Sequence, residues 1–201
     1  YGETGTGKEM MAQAIHCKSI RYKKPFVAQN CSAIPENLLE STFFGVSKGS
    51  FTGAVEAEGI FEAVQGGTLY LDELNSMDIS FQGKLLRVIQ EGELRRLGEN
   101  KIRKVDVRII ASVSEDPEIL IKTNRLRKDL YYRLNVIRID IPALDERKED
   151  IPLLVNSFIS KHNLKLQANI DGITEEALKA IMKKTYDGNV RELEHLIEGA
   201  I

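Results

Sequence analysis

Apolar residues recur along this chain with two periods, and the changeovers between them mark its elements. From Glu9 to Ile20, Met10, Met11, Ala14 and Ile15 fall near one face of a 3.6-residue repeat, which predicts a helix. Pro25-Phe26-Val27-Ala28 predicts a short strand ending at Asn30. Pro35 stands where helices begin, with Leu38, Leu39 and Phe43 following at helical spacing. Three glycines between Gly45 and Ala54 break that pattern before helix-like sequence resumes over Val55–Val64. Thr68-Leu69-Tyr70-Leu71 is a buried strand entered through Gly66-Gly67, and Phe81–Gln90 is an amphipathic helix carrying Leu85, Leu86 and Ile89.

Leu94–Val105 is basic and holds the turn residues Gly98-Glu99-Asn100, the pattern of a hairpin-like excursion. Val107–Val113 and Val136–Ile141 are β-rich, with a basic helix between them around Leu126–Leu134. Strands alternating with helices imply an α/β fold, a parallel sheet covered on both faces. After Pro142 and the charged connector Leu144–Lys148, only helices are expected, over Ile151–His162, Thr174–Tyr186 and from Val190 onward. The boundary falls near Leu144, giving an α/β domain over 1–143 and a small all-helical segment over 144–201.

Composition narrows the class. The 201 residues are 42% hydrophobic and 29% charged, an ordinary balance for a folded domain. The formal net charge of −2 carries no basic footprint for nucleic acid, so DNA contacts are expected only through segments outside this chain. No apolar run reaches membrane length. Cys17 and Cys31 lack metal or redox spacing and are expected to be reduced thiols of a cytoplasmic protein. His16, His162 and His195 are scattered, which argues against zinc.

The chemistry begins at the second residue. Gly2-Glu3-Thr4-Gly5-Thr6-Gly7-Lys8 fits G-x-x-x-x-G-K, in which glycines let backbone N–H groups turn onto phosphate oxygens and the lysine reaches the β/γ-phosphates. Such a loop normally follows a buried strand; none precedes it here, so the chain reads as part of something longer. A chance match to three fixed letters arises in roughly one chain in twenty, and Glu9 stands where the general pattern has a hydroxyl. The motif therefore needs a second element.

Asp72-Glu73, at the end of an apolar strand, supplies it. A nucleoside triphosphatase needs an aspartate to hold magnesium, largely through water, and a glutamate to orient and polarise the attacking water. A polar strand end opening a helix would look similar, but the two motifs in this order favour ATP chemistry. Asn100-Lys101-Ile102-Arg103 is not a guanine-reading motif, because Arg103 replaces the required aspartate.

Gly49-Ser50-Phe51-Thr52-Gly53-Ala54 admits two readings, a flexible loop offering an aromatic contact to a partner or a turn with a buried phenylalanine. Arg125, Arg127, Lys128 and Arg133 form either a solvated basic helix or a source of arginine fingers for a neighbouring subunit. Asn189 reads as the cap of the last helix with Glu192 as reciprocal partner, and Arg191 projects from its first turn.

The strings GETGTGKE, PFVAQNCSA, GSFTGA, GGTLYLDEL, KLLRVIQEG, VDVRIIAS, LRKDLYYRLNV and GNVRELE resemble the central AAA+ ATPase domain of bacterial enhancer-binding proteins, the activators of sigma-54 RNA polymerase. The resemblance covers essentially the whole chain and leans toward the arginine-catabolism regulators. It implies a phosphate-loop AAA+ domain with a helical lid, using ATP and Mg2+ and assembling as a homo-oligomeric ring, commonly a hexamer.

It further implies that Glu9 is an accepted acidic residue and that Arg127 and Arg133 act in trans. Asn30 would bond the catalytic Glu73, Arg191 would sense nucleotide from the lid, and Gly49–Ala54 would contact sigma-54. Ser50 stands in place of a commoner alanine. Ser114 stands at the sensor asparagine position, with shorter reach toward a γ-phosphate. Leu126 and Tyr186-Asp187 are further departures. The competing expectations are an AAA+ remodeller of another class, and a regulator that binds ATP without turning it over.

Overall fold

The computed structural model describes residues 1–50 and 55–201, so Phe51–Ala54 of the glycine-flanked loop lie outside the described residues. The chain divides into two compact units: Tyr1 with Glu9–Ile139, and Gly2–Lys8 with Asp140–Ile201. The glycine-rich loop thus groups with the helical segment. Chain order alone does not suggest this; the loop's carbonyls take donors from Arg147, Asn189 and Arg191.

The first unit carries α1 (Lys8–Cys17, its first residue lying in the second unit), β1 (Phe26–Asn30), α2 (Leu39–Phe44), α3 (Ile60–Ala63), β2 (Thr68–Asp72) and α4 (Ile79–Glu91). There follow β3 (Glu93–Leu94), β4 (Arg103–Lys104), β5 (Arg108–Ala111), α5 (Pro117–Lys122) and α6 (Lys128–Leu134). The three long strands form a parallel sheet in the order β1-β2-β5, with Asn30 opposite Asp72 and Leu71 opposite Ala111. β2 lies in the middle and is buried up to its last residue, as a strand covered on both faces must be. Leu69 and Leu71 pack with Phe43, Phe61, Leu85, Leu120 and Leu130 in one core.

Local chemistry explains the ends. Asp78 caps α4, accepting from Ser80 N at 2.8 Å and Phe81 N at 3.2 Å. Asp116 does the same for α5, with Pro117 in its first turn. The expected hairpin is β3–β4, antiparallel with Leu94 opposite Arg103.

Two expectations fail here. Helix over Val55–Val64 shrinks to α3, because Gly59 is pressed against the α2 end: a Cβ there would lie 2.4 Å from Phe43 O. The β-rich run Val136–Ile141 forms no strand. Val136 and Ile137 are 83% and 80% exposed, and among the described residues no strand lies alongside to complete a ladder.

The second unit contains α7 (Ile151–Leu166), α8 (Glu175–Lys183) and α9 (Asn189–Ala200). Leu144, Ile151, Val155, Phe158, Tyr186, Leu193 and Ile197 form its own core. Thr174 caps α8 through Ala177 N. Asn189 is not the cap of α9: Gly188 holds that place, and Glu192 Oε2 accepts from Gly188 N at 3.0 Å, so the reciprocal half of the motif is kept one residue earlier.

Candidate functional site

Within Gly2–Lys8, Gly5 and Gly7 take φ of 82° and 97°, values that favour glycine. A Cβ on Gly5 would meet Gly188 O at 2.2 Å, whereas one on Gly7 would meet nothing within 4 Å. Gly5 is thus required by close packing, and Gly7 borders open space.

The loop's carbonyls are drawn into protein bonds. Lys8 Nζ donates to Gly2 O at 2.8 Å and to Glu3 O at 2.9 Å. Asn189 Nδ2 donates to Thr4 O at 3.2 Å, Arg191 N to Gly5 O at 3.3 Å and Arg147 Nη2 to Thr6 O at 2.8 Å. Thr6 N is spent inside the loop, on Glu3 O at 3.4 Å, and with the oxygens engaged the other N–H groups carry the polarity that phosphate requires. The Arg191 side chain is exposed, as is that of Glu9 in the first turn of α1.

Asn189 is the residue that sequence reasoning misplaced. It is fully buried, its Oδ1 accepts from Leu144 N at 2.7 Å, and its Nδ2 also lies 3.2 Å from Glu3 Oε2. One amide therefore joins the loop to the connector and the foot of α9. Its φ of 54° (a left-handed value to which asparagine is suited) was the only available signal, and sequence does not display it.

A second group of candidate residues lies at the end of β2, in the first unit. Asp72 is half-buried. Its Oδ1 accepts from Ser112 Oγ at 2.5 Å and from Tyr70 Oη at 2.9 Å, while Tyr70 Oη and Ser112 Oγ are themselves 2.9 Å apart. Burial, ahead of all other influences, pushes the Tyr70 phenol well above its ordinary value. Next in sequence, Glu73 sits at φ 54°, ψ 48°, a left-handed conformation uncommon for glutamate, with Ser76 N and Oγ bonded to its carbonyl at 2.9 and 2.7 Å. The backbone holds this carboxylate at a break between β2 and the turn after it rather than in a helix.

Cys31, buried beside β2, has its thiol pushed up to about 12 by burial and then by the Asp72 and Glu73 carboxylates, so it stays neutral. Asn30 and Glu73 share no hydrogen bond among the described residues. Asn30 Oδ1 accepts instead from Ser32 N at 2.8 Å and Ser32 Oγ at 2.6 Å. Ser114 is half-buried beyond β5, and among the described residues its hydroxyl makes no hydrogen bond.

The donor set suits magnesium. Among the described residues no three His, Cys, Asp or Glu side chains gather to cage a metal. A cation that keeps several waters and takes one or two carboxylates together with substrate phosphates needs no such cage, and Asp72 offers hard oxygen with one of its two oxygens engaged.

Arg127 precedes α6 and forks onto Asp129, at 3.0 and 2.8 Å. Arg133 donates to Ile89 O at 3.5 Å and is exposed. Gly49 and Ser50 are the described part of the loop. Ser50 sits against Gly98 of the hairpin turn, where a Cβ would come within 2.3 Å of its own Cβ. Ser47 N donates to Leu97 O at 3.0 Å, and Val46 bridges both Ala57 and Leu97.

Beneath these feet Arg96, only 4% exposed at its side chain, bonds Glu62 through Nε at 2.8 Å and Nη2 at 2.6 Å, and Glu56 through Nη1 at 2.8 Å. Hydrogen bonding from Arg96 holds the Glu62 carboxyl below the usual glutamate range.

A parallel sheet with a phosphate-type loop, an Asp-Glu strand end and a separate helical unit defines an AAA+ ATPase fold. S. cerevisiae Hsp104 shares that fold with a TM-score of 0.72 at 18% identity, over 100% of this chain and 38% of its own. The chain belongs to the sigma-54 interaction domain family, whose profile matches residues 1–140, and an AAA+ ATPase lid domain profile matches residues 145–201.

Among its relatives, the transcriptional activator RocR of Bacillus subtilis is 53% identical over 200 residues, covering 100% of this chain and 43% of RocR. The phenol regulator MopR of Acinetobacter guillouiae is 48% identical over 99% of this chain and 36% of its own length. NtrX from Brucella abortus in complex with ATP superposes with a TM-score of 0.89 at 36% identity, over 98% of this chain and 45% of that one. The chain thus spans less than half the length of these relatives. The likeness to RocR supports a RocR-like subgroup, and among the described residues no helix is long and apolar enough to cross a membrane.

Proposed function

We propose that this chain hydrolyses ATP and uses the cycle to remodel a sigma-54 RNA polymerase–promoter complex through the loop Gly49–Ala54. In this reading Gly2–Lys8 and Glu9 form the phosphate-binding segment, with Lys8 on the β/γ-phosphates and Arg191 sensing the nucleotide from the lid. Asp72 holds hydrated Mg2+, which when bound supplies positive charge against the phosphate oxygens. Glu73 orients and polarises the attacking water and accepts its proton.

Arg127 and Arg133 reach a neighbouring subunit's γ-phosphate in a homo-oligomeric ring. Asn30 exchanges its Ser32 contacts for Glu73 as the nucleotide changes. The observation that carries the reading is Glu73, held in a left-handed backbone directly after Asp72 at the end of the central strand. The lid spans 144–201, the protein works in the cytoplasm, and DNA is reached through segments outside this chain.

A second reading, ATP binding without turnover, is favoured by the unengaged Ser114 hydroxyl. Phosphate release from the whole protein separates the two. Glu73→Gln is expected to bind ATP and assemble but to hydrolyse it poorly. Thr52→Ala and Phe51→Ala are expected to keep near-normal turnover and assembly while losing capture of sigma-54 in pull-down and losing promoter opening. If both loop variants still open promoters, the loop is structural and the activator reading fails.

A further inference from the structure

We propose that Tyr70 and Ser112 are positioning residues for the metal site: together they pin one oxygen of the Asp72 carboxylate and leave the other for a metal-bound water. This rests on the reading of Asp72 as the magnesium-holding residue.

The placement follows from the sheet. Tyr70 and Asp72 are two residues apart on β2 and share a face. Ser112 follows β5, whose parallel register sets Leu71 against Ala111, and Ser112 N donates to Leu71 O at 2.9 Å. The end of the neighbouring strand therefore delivers a short hydroxyl beside the Asp72 carboxylate, while the buried Tyr70 ring delivers a long one. Leu74 N donating to Ser112 O at 3.0 Å closes the same point from the far side of Glu73.

The three oxygens form a closed triangle, but only two protons are available to its three edges. Ser112 Oγ–H donates to Asp72 Oδ1, the shortest edge at 2.5 Å, within the range of a charge-assisted bond. Tyr70 Oη–H then serves either Oδ1 or Ser112 Oγ, each 2.9 Å away.

In both arrangements Ser112 donates to Oδ1, and Tyr70 either adds a second bond to that oxygen or holds the Ser112 hydroxyl that makes the first. Among the described residues the hydrogen bonds of this carboxylate fall on Oδ1 and not on Oδ2. Tyr70 is 1% exposed and Ser112 7%, so water cannot readily replace either donor. Apolar side chains would serve packing equally well in the strand interior. Two hydroxyls converging on one carboxylate oxygen are accounted for by orientation of that carboxylate.

Residues that orient a metal-binding carboxylate usually change metal affinity about 10–100-fold when removed. The whole protein with Tyr70→Phe, Ser112→Ala, both together, and Ser112→Thr tests this. Mn2+ is titrated against each in the presence of ADP and read by electron paramagnetic resonance, with thermal unfolding and metal-free ADP affinity measured alongside.

Tyr70→Phe retains the buried ring, so its fold is expected to survive. Each single change is expected to weaken Mn2+ binding about tenfold and the pair up to about a hundredfold, with metal-free ADP affinity unchanged and Ser112→Thr close to the parent. In turnover, the Mg2+ concentration for half-maximal rate is expected to rise while the rate at saturating Mg2+ recovers. Unchanged Mn2+ affinity in a folded double variant overturns the proposal and leaves the ATPase reading standing. Failure of the parent protein to bind Mn2+ with ADP overturns both.

Discussion

Arg96 and Arg127 lie in the same unit and do opposite things with the same side chain. Arg96 is buried and surrounded by carboxylates, forked onto Glu62 with Glu56 and Glu58 close by. At 4% exposure its guanidinium presents no open face to a second molecule. Arg127 is about a third exposed, and its guanidinium is paired with Asp129, itself 48% exposed. An exposed pair of this kind is worth at most about 1 kcal/mol, so Arg127 can be drawn away by a stronger anion. The cation committed inside its own chain fastens the loop's feet to the hairpin. The lightly held one, like Arg133, is the one suited to act between subunits.

The largest way to break this contrast is catalytic. Arg127→Ala and Arg133→Ala are expected to cut turnover by up to about a thousandfold, roughly 4 kcal/mol in the barrier, with nucleotide affinity and unfolding temperature nearly unchanged. Mixing Glu73→Gln with Arg127→Ala subunits should restore part of the activity. Absence of rescue in co-assembled subunits would mean that the arginine acts within its own chain.

Arg96→Met should do the reverse. It strands Glu62 in a poorly solvated position and is expected to cost about 3 kcal/mol, read in denaturant unfolding. A loss below about 1 kcal/mol would place Arg96 with the surface arginines.

The smallest effect sharpens the comparison through pH. The Glu62 carboxyl is held low chiefly by its bond from Arg96, so its contribution is fully present above about 4.5, where an unfolded glutamate ionises, and is lost as pH falls through the folded value. Unfolding temperature should therefore drop more steeply below about pH 5 in the parent than in Glu62→Gln, and the two curves should converge in acid. Parallel curves would show that Glu62 titrates as if exposed.

Much of this was legible in the chain. The short, mostly apolar run Thr68–Leu71, the glycines at 66 and 67 and the turn at Gly98 led directly to β2 and to the β3–β4 hairpin. The phosphate loop and Asp72-Glu73 were readable because their chemistry dictates residue types at short spacing. What stayed hidden depended on long-range register or on burial. Nothing near Asp72 announces Ser112, which arrives from another strand 40 residues later. Arg96 reads as one of several basic residues in an exposed excursion until three glutamates close on it. Asn189 has the composition of a cap, and only its left-handed backbone turns its amide inward. Val136–Ile141 had the residues of a strand, but a strand also requires a neighbour.

That inward amide has a consequence for how the chain becomes active. Thr4 and Asn189 are 185 residues apart, and their bond is among the most sequence-distant contacts here. Contacts of such separation form late, because most of the intervening chain must be ordered before closure is favourable. A nascent or partly folded chain can therefore build its sheet while the glycine-rich segment is still unorganised. Only when the foot of α9 is in place does the segment acquire the shape that suits a phosphate. Competence for the nucleotide would then be the final step of folding and a report that folding is complete.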